Sequence, residues 1–237
     1  MSVEEQSPVV DSLPNETDIV VIGAGPAGSS AAAWAARSGR DVVLVDAAVF
    51  PRDKTCGDGL TPRAVAELDL LGLGEWVRSH TTNKGLRLSG FGQELELEWP
   101  GDVVPADRQR HPPPDRTRRR HSPVRRRIGR GHGRGHQAVD VELDGDRVAA
   151  VVLAGPSGRS TLRCRTLIIA DGVRSTLGKK LGRQWHRDTA YGVAARAYVA
   201  TPRSADPWIT SHLELRDTEG TLQAGGTAGS SRSAPAR

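Results

Sequence analysis

Short apolar runs separated by glycine-containing turns dominate the chain from residue 17 to residue 46. Residues 19–22 are a β-branched run, which is typical of a strand buried on both faces of a sheet. Strong helix formers follow over residues 27–37, and Gly39 is placed to end that helix. Residues 41–45 have the pattern of a second buried strand. This order predicts a strand–helix–strand unit of an α/β protein.

Weaker patterns predict elements along the rest of the chain. Thr61 and Pro62 resemble the N-cap and first position of a helix whose apolar stripe ends at Gly72. Alternation of apolar and polar residues predicts a hairpin of two strands, residues 86–92 and 94–99. Further strands are predicted at residues 139–143, 148–153, 167–170, 191–199 and 208–215, with a short strand after residue 158 and a helix at residues 175–181.

Three glycines between the first strand and the helix complete a GxGxxG motif. Gly23 permits a tight turn, Gly25 lets the backbone approach a pyrophosphate, and Gly28 lets the helix pack closely on the strand. The helix N-terminus offers N–H groups to a phosphate. Asp46 follows Gly28 by 18 residues, close to the spacing of roughly 20 for a carboxylate that binds ribose hydroxyls. The motif predicts a dinucleotide site; the alternative is a glycine-rich turn of another α/β protein.

Charge is concentrated in one segment. The whole chain has a formal net charge of +5, but residues 102–137 hold 11 arginines and three aspartates, and the remainder carries 22 basic and 25 acidic residues. A basic segment of this kind suggests nucleic acid or an anionic membrane as a partner. Because it lacks interleaved aromatic side chains that could stack on bases, we expect no nucleic acid partner.

Cysteine content and hydropathy indicate the compartment. The chain has two cysteines, Cys56 and Cys164, which imply no disulfide framework, so a cytoplasmic protein is expected. No apolar run reaches the length of a membrane span, and the N-terminus lacks the regions of a signal peptide. Residues 1–16 are expected to form a disordered tail.

Two further segments make the assignment more specific. FPRDKTCGDGLTPRAV, at residues 50–65, and LIIADGVRSTLGKKLG, at residues 167–182, join the GAGPAG turn in an order that resembles the geranylgeranyl reductase family. The resemblance covers roughly residues 17–100 and 138–222 and is closest to the bacterial branch thought to reduce an isoprene unit of menaquinone. It implies the Rossmann-type FAD-binding fold of p-hydroxybenzoate hydroxylase, with a β-meander and the start of a substrate-domain sheet, here incomplete.

The resemblance also implies roles for individual residues. Cys56 and Gly57 match a Cys-Gly pair beside the isoalloxazine and are the candidate catalytic residues. Cys56 as a small packed residue, and Asp171 with Gly172 as a plain turn, are the alternatives. The candidate cofactor-binding residues are Gly23, Gly25, Pro26, Ala27, Gly28, Asp46, Arg52, Asp171 and Gly172.

The implied reaction is hydride transfer from reduced flavin to a carbon–carbon double bond of an isoprenoid chain. FAD is the expected cofactor, and NAD(P)H or another reductant is the expected electron donor. An isoprenoid lipid or quinone substrate implies peripheral contact with the inner face of the membrane, and no metal is expected. A flavin monooxygenase of the aromatic hydroxylase type is the alternative enzyme, and a non-enzymatic remnant is the third possibility.

The basic segment has no counterpart in the family. If DVVPADRQRH is back-translated with GC-rich codons and the DNA is read one base later, it can encode TSFPPTGSAI. In the following frame, DRTRRRHSPVRR can likewise encode TELDDAIRQYAD. Both products match family segments that are otherwise missing. GTAGSSRSAPAR can likewise become YGWVFPLGTGP, another family signature. We therefore interpret residues 102–137 and 224–237 as frame-shifted translation and the chain as truncated.

This interpretation defines the predicted organisation. Because a parallel sheet without its neighbours leaves open edges and exposed apolar surface, we expect this polypeptide to fold poorly, to bind FAD weakly or not at all, and therefore to show little or no activity. The predicted segments are a tail at 1–16, the N-terminal part of the FAD-binding domain at 17–100, a basic segment at 101–137, the β-meander and Asp-Gly part at 138–182, the start of a substrate domain at 183–223, and an aberrant tail at 224–237.

Overall fold

The structure is a computed structural model. In it, the chain forms two compact units. The first unit comprises residues 1–53 and 115–191, and the second comprises residues 54–114 and 192–237. The described residues are 13–50, 52, 59–79, 83–100, 132–184, 188, 194, 195, 197, 200–202, 206–222 and 228–230, with the backbone alone at 132–134 and 228–230.

Six strands among the described residues form the sheet of the first unit. In sequence order they are β1 (Glu16–Ile22), β2 (Val42–Asp46), β5 (His132–Arg134), β6 (Gln137–Asp144), β7 (Arg147–Gly155) and β8 (Gly158–Ile169). Their spatial order is β5-β2-β1-β8-β7-β6. The four strands β5, β2, β1 and β8 run parallel, and β6 and β7 continue the sheet antiparallel. The predicted strand–helix–strand unit is confirmed, with helix α1 (Pro26–Arg37) between β1 and β2.

The core of the first unit lies on both faces of its parallel strands. Val21 and Val42 pack with Ala32 and Ala36 of α1, whose small side chains allow a close approach. Val20 and Ile22 point to the opposite face, as alternation along a strand requires. They belong to a second cluster with residues of the three-stranded meander β6-β7-β8 and of a short helix, α4 (Thr176–Lys180). Burial on both faces explains the continuous apolar run in β1.

The third strand of the meander differs from the sequence prediction. We expected separate strands after residue 158 and at residues 167–170, but β8 is one strand of 12 residues. Its first half pairs antiparallel with β7, and its second half pairs parallel with β1. One long strand therefore connects the meander to the dinucleotide-type sheet, a role that apolar patterning alone does not indicate.

The second unit contains a four-stranded sheet within the described residues. Its strands are β3 (Gly85–Gly90), β4 (Gln93–Glu98), β9 (Trp208–His212) and β10 (Ala228–Ser230), in the order β10-β9-β3-β4. The predicted hairpin is confirmed as β3 and β4. Two helices, α2 (Pro62–Leu70) and α3 (Gly74–Arg78), precede the sheet. The predicted cap of α2 is confirmed, since the Thr61 side chain accepts a hydrogen bond from the Ala64 N–H at 3.4 Å.

One arginine, whose side chain is largely buried, contacts three segments of the second unit. Arg87 on β3 is 11% exposed and pairs with Glu96 at 2.7 Å and with Asp206 at 2.5 Å. Its guanidinium also lies 5.6 Å from the ring centroid of Trp208 on β9, within the range of a cation–π contact. The hydrogen bond to Glu96 is the largest of the interactions that raise the pKa of Arg87 above its usual value. Ion pairs therefore help to stabilise this sheet, which has few buried apolar side chains among the described residues.

The boundary between the units falls inside a segment that we predicted as continuous. Residues 17–100 were assigned to the FAD-binding domain, whereas the structure places α2, α3, β3 and β4 in the second unit. The reason is strand pairing: β3 lies beside β9 and joins no strand of the first sheet among the described residues. The predicted strand at residues 191–199 lies mostly outside the described residues, as do most of residues 101–137 and of the tail at 224–237.

Candidate functional site

The carboxyl ends of three adjacent parallel strands bring the sequence-predicted residues to one edge of the first sheet. In the ladder, Ile22 at the end of β1 is opposite Val45 of β2 and Ile169 of β8. The glycine turn follows β1, Asp46 ends β2, and Asp171 and Gly172 follow β8. Ligands of open parallel sheets bind in the crevice outside this edge. The topology therefore gathers the dispersed motifs into one candidate site.

Two glycines of the turn are fixed by packing within the protein. Gly23 has a φ of +97°, and a β-carbon there would lie 2.4 Å from the carbonyl oxygen of Ala170. A β-carbon on Gly28 would lie 1.8 Å from the carbonyl oxygen of Gly23 and 3.3 Å from the Ala170 β-carbon. The separations from the two carbonyl oxygens, 2.4 Å and 1.8 Å, are too short for any side chain. Gly23 and Gly28 therefore let the turn, α1 and the segment after β8 come into contact.

The middle glycine faces free space instead of protein backbone. Among the described residues, a β-carbon on Gly25 would meet only the Arg52 side chain, with Nη2 at 3.7 Å. Gly25 is also the N-cap of α1 and has no side chain to accept hydrogen bonds from the first turn. Pro26 begins the helix without an N–H, so Ala27 and Gly28 carry the N–H groups of that turn. This arrangement leaves room and hydrogen-bond donors for a pyrophosphate.

Asp46 links the end of β2 to the glycine turn. One carboxylate oxygen, Oδ2, accepts a hydrogen bond from the Ala24 N–H at 2.6 Å, and Oδ1 accepts one from the Ala48 N–H at 2.8 Å. Each carboxylate oxygen has two lone pairs, so both retain capacity to accept a ribose hydroxyl. Asp46 therefore holds the turn in place while it remains able to bind a sugar.

Arg52 and the Asp-Gly pair complete the described part of the site. Arg52 is exposed, and its guanidinium carbon lies 5.4 Å from the ring centroid of Phe50. Asp171 lies beside the glycine turn, since its Cα would be 2.8 Å from a β-carbon on Gly23. Arg52 and Asp171 therefore both lie beside the glycine turn. Cys56 and Gly57, the candidate catalytic residues, lie outside the described residues.

Sequence reasoning missed several residues at this edge. Ala24 takes part through its backbone N–H, and Ala170 through its backbone carbonyl and its small β-carbon, so neither residue carries a recognisable signal in the sequence. Val49 and Val173 are 71% and 65% exposed. Each valine lies a few residues beyond the end of a buried strand. An apolar β-branched residue that follows a strand without belonging to it is the sequence signal that could have indicated an exposed apolar side chain at this edge of the sheet.

The geometry fits FAD. Among the described residues, Gly25 leaves open space, Asp46 retains lone pairs that can accept a ribose hydroxyl, and the first turn of α1 offers N–H groups to a phosphate. No helix among the described residues is both long and apolar enough to cross a membrane.

Comparison with known proteins supports this interpretation. A family model described as "FAD binding domain" matches residues 16–222. The chain is 56% identical over 209 residues to a menaquinone reductase of Mycolicibacterium smegmatis, covering 88% of this chain and 50% of that protein. It is 31% identical over 177 residues to digeranylgeranylglycerophospholipid reductase 1 of Methanopyrus kandleri, covering 70% of this chain and 42% of that protein.

A solved structure shows the same fold. The FAD-dependent chondrochloren halogenase of a myxobacterium superimposes with a TM-score of 0.62 at 21% identity, covering 85% of this chain and 48% of the halogenase. The chain spans about half the length of the curated relatives that it matches. The glycine turn, the match over residues 16–222 and the shared fold lead to one conclusion: the chain belongs to the FAD binding domain family.

Proposed function

We propose that the protein takes part in FAD-dependent reduction of a carbon–carbon double bond in an isoprenoid chain, with a menaquinone side chain as the substrate class. The observation that carries the proposal is the 56% identity to a menaquinone reductase over 88% of this chain. The Methanopyrus kandleri relative, whose name also describes reduction of an isoprenoid lipid, supports the same class of substrate. The first half of the reaction machinery, a dinucleotide site, is consistent with the geometry at Gly25.

The residues of the first unit would bind and orient the cofactor. Gly25 and the N–H groups of Ala27 and Gly28 would hold the pyrophosphate, and Asp46 would accept hydrogen bonds from the ribose. The guanidinium of Arg52 would add positive charge beside the phosphates. Once bound and reduced by the electron donor, FAD would supply hydride to one carbon of the double bond, and a proton would be added to the other.

Three finer points belong to the same proposal. Cys56 and Gly57 would lie beside the isoalloxazine and the substrate, and Asp171 with Gly172 would contact FAD from the end of β8. NAD(P)H is the proposed electron donor. Because menaquinone is a membrane lipid, the protein would contact the membrane from the cytoplasmic side without spanning it.

The experiment is a product analysis with the full chain, FAD, NADPH and menaquinone, with the Mycolicibacterium smegmatis reductase as the reference. The expected result is a slow, FAD-dependent product that gains two hydrogen atoms by mass spectrometry. Aromatic hydroxylation, the alternative activity, would instead add one oxygen atom to an aromatic substrate in the presence of O₂. Either an oxygenated product, or no reduced product while the reference enzyme forms one, would overturn the proposal.

A further inference from the structure

A basic surface surrounds α4 directly beyond the candidate site. Residues 172–184 contain four basic and no acidic side chains, and all four basic residues are exposed. Two apolar side chains are exposed among them: Val173 is 65% exposed and Leu181 is 39% exposed. The resulting α4 surface consists of Val173, Arg174, Lys179, Lys180, Leu181 and Arg183.

Local structure fixes the outward orientation of this surface. The Ser175 hydroxyl caps α4 by accepting a hydrogen bond from the Gly178 N–H at 2.9 Å. Leu177 is 1% exposed and belongs to the core cluster, so it anchors the inner side of the helix. Arg183 donates a hydrogen bond to the carbonyl oxygen of Val173 at 3.2 Å, which brings the two ends of the segment together. The charged side chains are thereby held on one small, anchored element.

The Lys180 side chain of this surface forms an ion pair and remains partly exposed. Lys180 Nζ lies 3.0 Å from Asp140 Oδ2 on β6, and the Lys180 side chain is still 49% exposed. The exposed part of the α4 surface is therefore cationic and apolar at once. Lys and Arg near a bilayer interact with anionic headgroups, while exposed apolar side chains enter the boundary between headgroups and acyl chains.

We propose that the α4 surface docks the protein on an anionic lipid bilayer. A free phosphate would require donors that converge on one point, whereas these cations are spread over the exposed side of a helix and mixed with apolar side chains. Val173 follows Asp171 and Gly172 directly, so docking would bring the carboxyl edge of the first sheet to the lipid. Only this orientation rests on the proposed lipid substrate; bilayer binding itself requires neither FAD nor quinone.

The test is co-sedimentation of the full chain with vesicles of phosphatidylcholine alone or mixed with phosphatidylglycerol. The variant R174Q/K179Q removes two charges from the α4 surface. The matched control R147Q/R163Q removes two exposed arginines near the middle of β8, where Glu16, Asp18, Asp41 and Asp144 line the same cleft. Both variants keep the arginines of residues 102–137, so any binding by that segment affects them equally.

We expect R174Q/K179Q to lower the partition coefficient on anionic vesicles by about tenfold or more, and the control to lower it by less than about twofold. The difference should shrink when the salt concentration is raised from about 0.1 M to about 1 M. Equal losses in the two variants, or binding that ignores phosphatidylglycerol, would overturn the proposal. Reduction of detergent-solubilised menaquinone, measured separately, distinguishes this failure from failure of the proposed activity.

Discussion

Gly25 and Gly28 lie in the same turn but differ in the space that is available for an added β-carbon. At Gly28 the added atom would lie 1.8 Å from the Gly23 carbonyl oxygen, whereas at Gly25 its nearest neighbour in the described part of the chain would be Arg52 Nη2 at 3.7 Å. The first position is therefore required by the fold of the protein itself. The second has room for a side chain until a ligand occupies it.

This difference predicts opposite effects of two alanine substitutions. Gly28→Ala should destabilise the first unit by about 3 kcal/mol or more, because neither the turn nor α1 can move away without unpacking. Gly25→Ala should cost about 1 kcal/mol at most, the effect of alanine at an N-cap. It should nevertheless weaken FAD binding by at least about tenfold, or about 1.4 kcal/mol. Thermal unfolding without FAD and titration of flavin fluorescence measure the two effects.

The comparison of these two variants also tests the site. If Gly25→Ala unfolded the protein as readily as Gly28→Ala, the free space at Gly25 would be needed for folding alone. If Gly25→Ala bound FAD as the unsubstituted chain does, the pyrophosphate would lie elsewhere. Because we expect this polypeptide to bind FAD weakly or not at all, the titration has to extend to high concentrations of FAD.

At the scale of elements, one ion pair joins α4 to the meander. Lys180 Nζ lies 3.0 Å from Asp140 Oδ2 on β6, and this contact is the largest cause that holds the pKa of Asp140 below its ordinary value of 3.8. A second hydrogen bond, from the Val141 N–H, acts in the same direction. Because the folded pKa is the lower one, the ionised carboxylate stabilises the folded state above 3.8. That contribution is lost as the pH falls through the folded pKa.

Asp140→Asn should therefore lower the melting temperature near neutral pH and have a smaller effect in strong acid, where the native side chain is also neutral. Asp146→Asn, in the exposed turn between β6 and β7, is the matched control and should have little effect at either pH. The measurement is a set of melting curves of the unsubstituted protein, Asp140→Asn and Asp146→Asn, recorded from neutral pH to strong acid. A loss in Asp140→Asn that stayed constant with pH would show that shape, and not charge, links α4 to β6.

The elements also show how much the sequence could predict. The first strand, the glycine turn, α1 and β2 were predictable because their signals are local: buried β-branched runs, helix propensity and glycines at fixed spacing. The length of β8 was not, since a strand that changes from an antiparallel to a parallel neighbour reads as two short runs. The unit boundary was not predictable either, because it depends on the pairing of β3 with β9, 123 residues apart at Gly85 and Trp208.

At the scale of the whole molecule, the two units are unequal in apolar core. The described buried hydrophobic residues lie in the first unit, with Trp208 as the exception. In β4, the apolar positions Leu95 and Leu97 remain 54% and 44% exposed. The first unit thus has what a folded domain requires, whereas the described part of the second is joined mainly by strand pairing and by the Arg87 ion pairs. The expectation that this polypeptide folds poorly stays a prediction, which a thermal melt of the full chain tests.

The frame-shift hypothesis for residues 102–137 is a proposal about the same whole molecule, and the coding DNA tests it. The backbone at 132–134 pairs beside β2 as a further parallel strand, although its sequence is His-Gly-Arg. The family match extends across the segment from residue 16 to residue 222. A buried parallel strand normally has apolar residues, which residues 132–134 lack. This mismatch is expected if a frame shift changed the residues of this segment while the family pattern on both sides of it stayed intact.

Resequencing of codons 100–140 should reveal segments close to TSFPPTGSAI and TELDDAIRQYAD in the two alternate frames. Codons 17–46 of the same DNA are the control, because their family motif is intact in the frame that is translated. Restoring the reading frame should replace the 11 arginines with a segment of much lower positive charge and strengthen FAD binding. DNA in which neither family segment appears in any frame would instead show that the arginine-rich segment belongs to the protein.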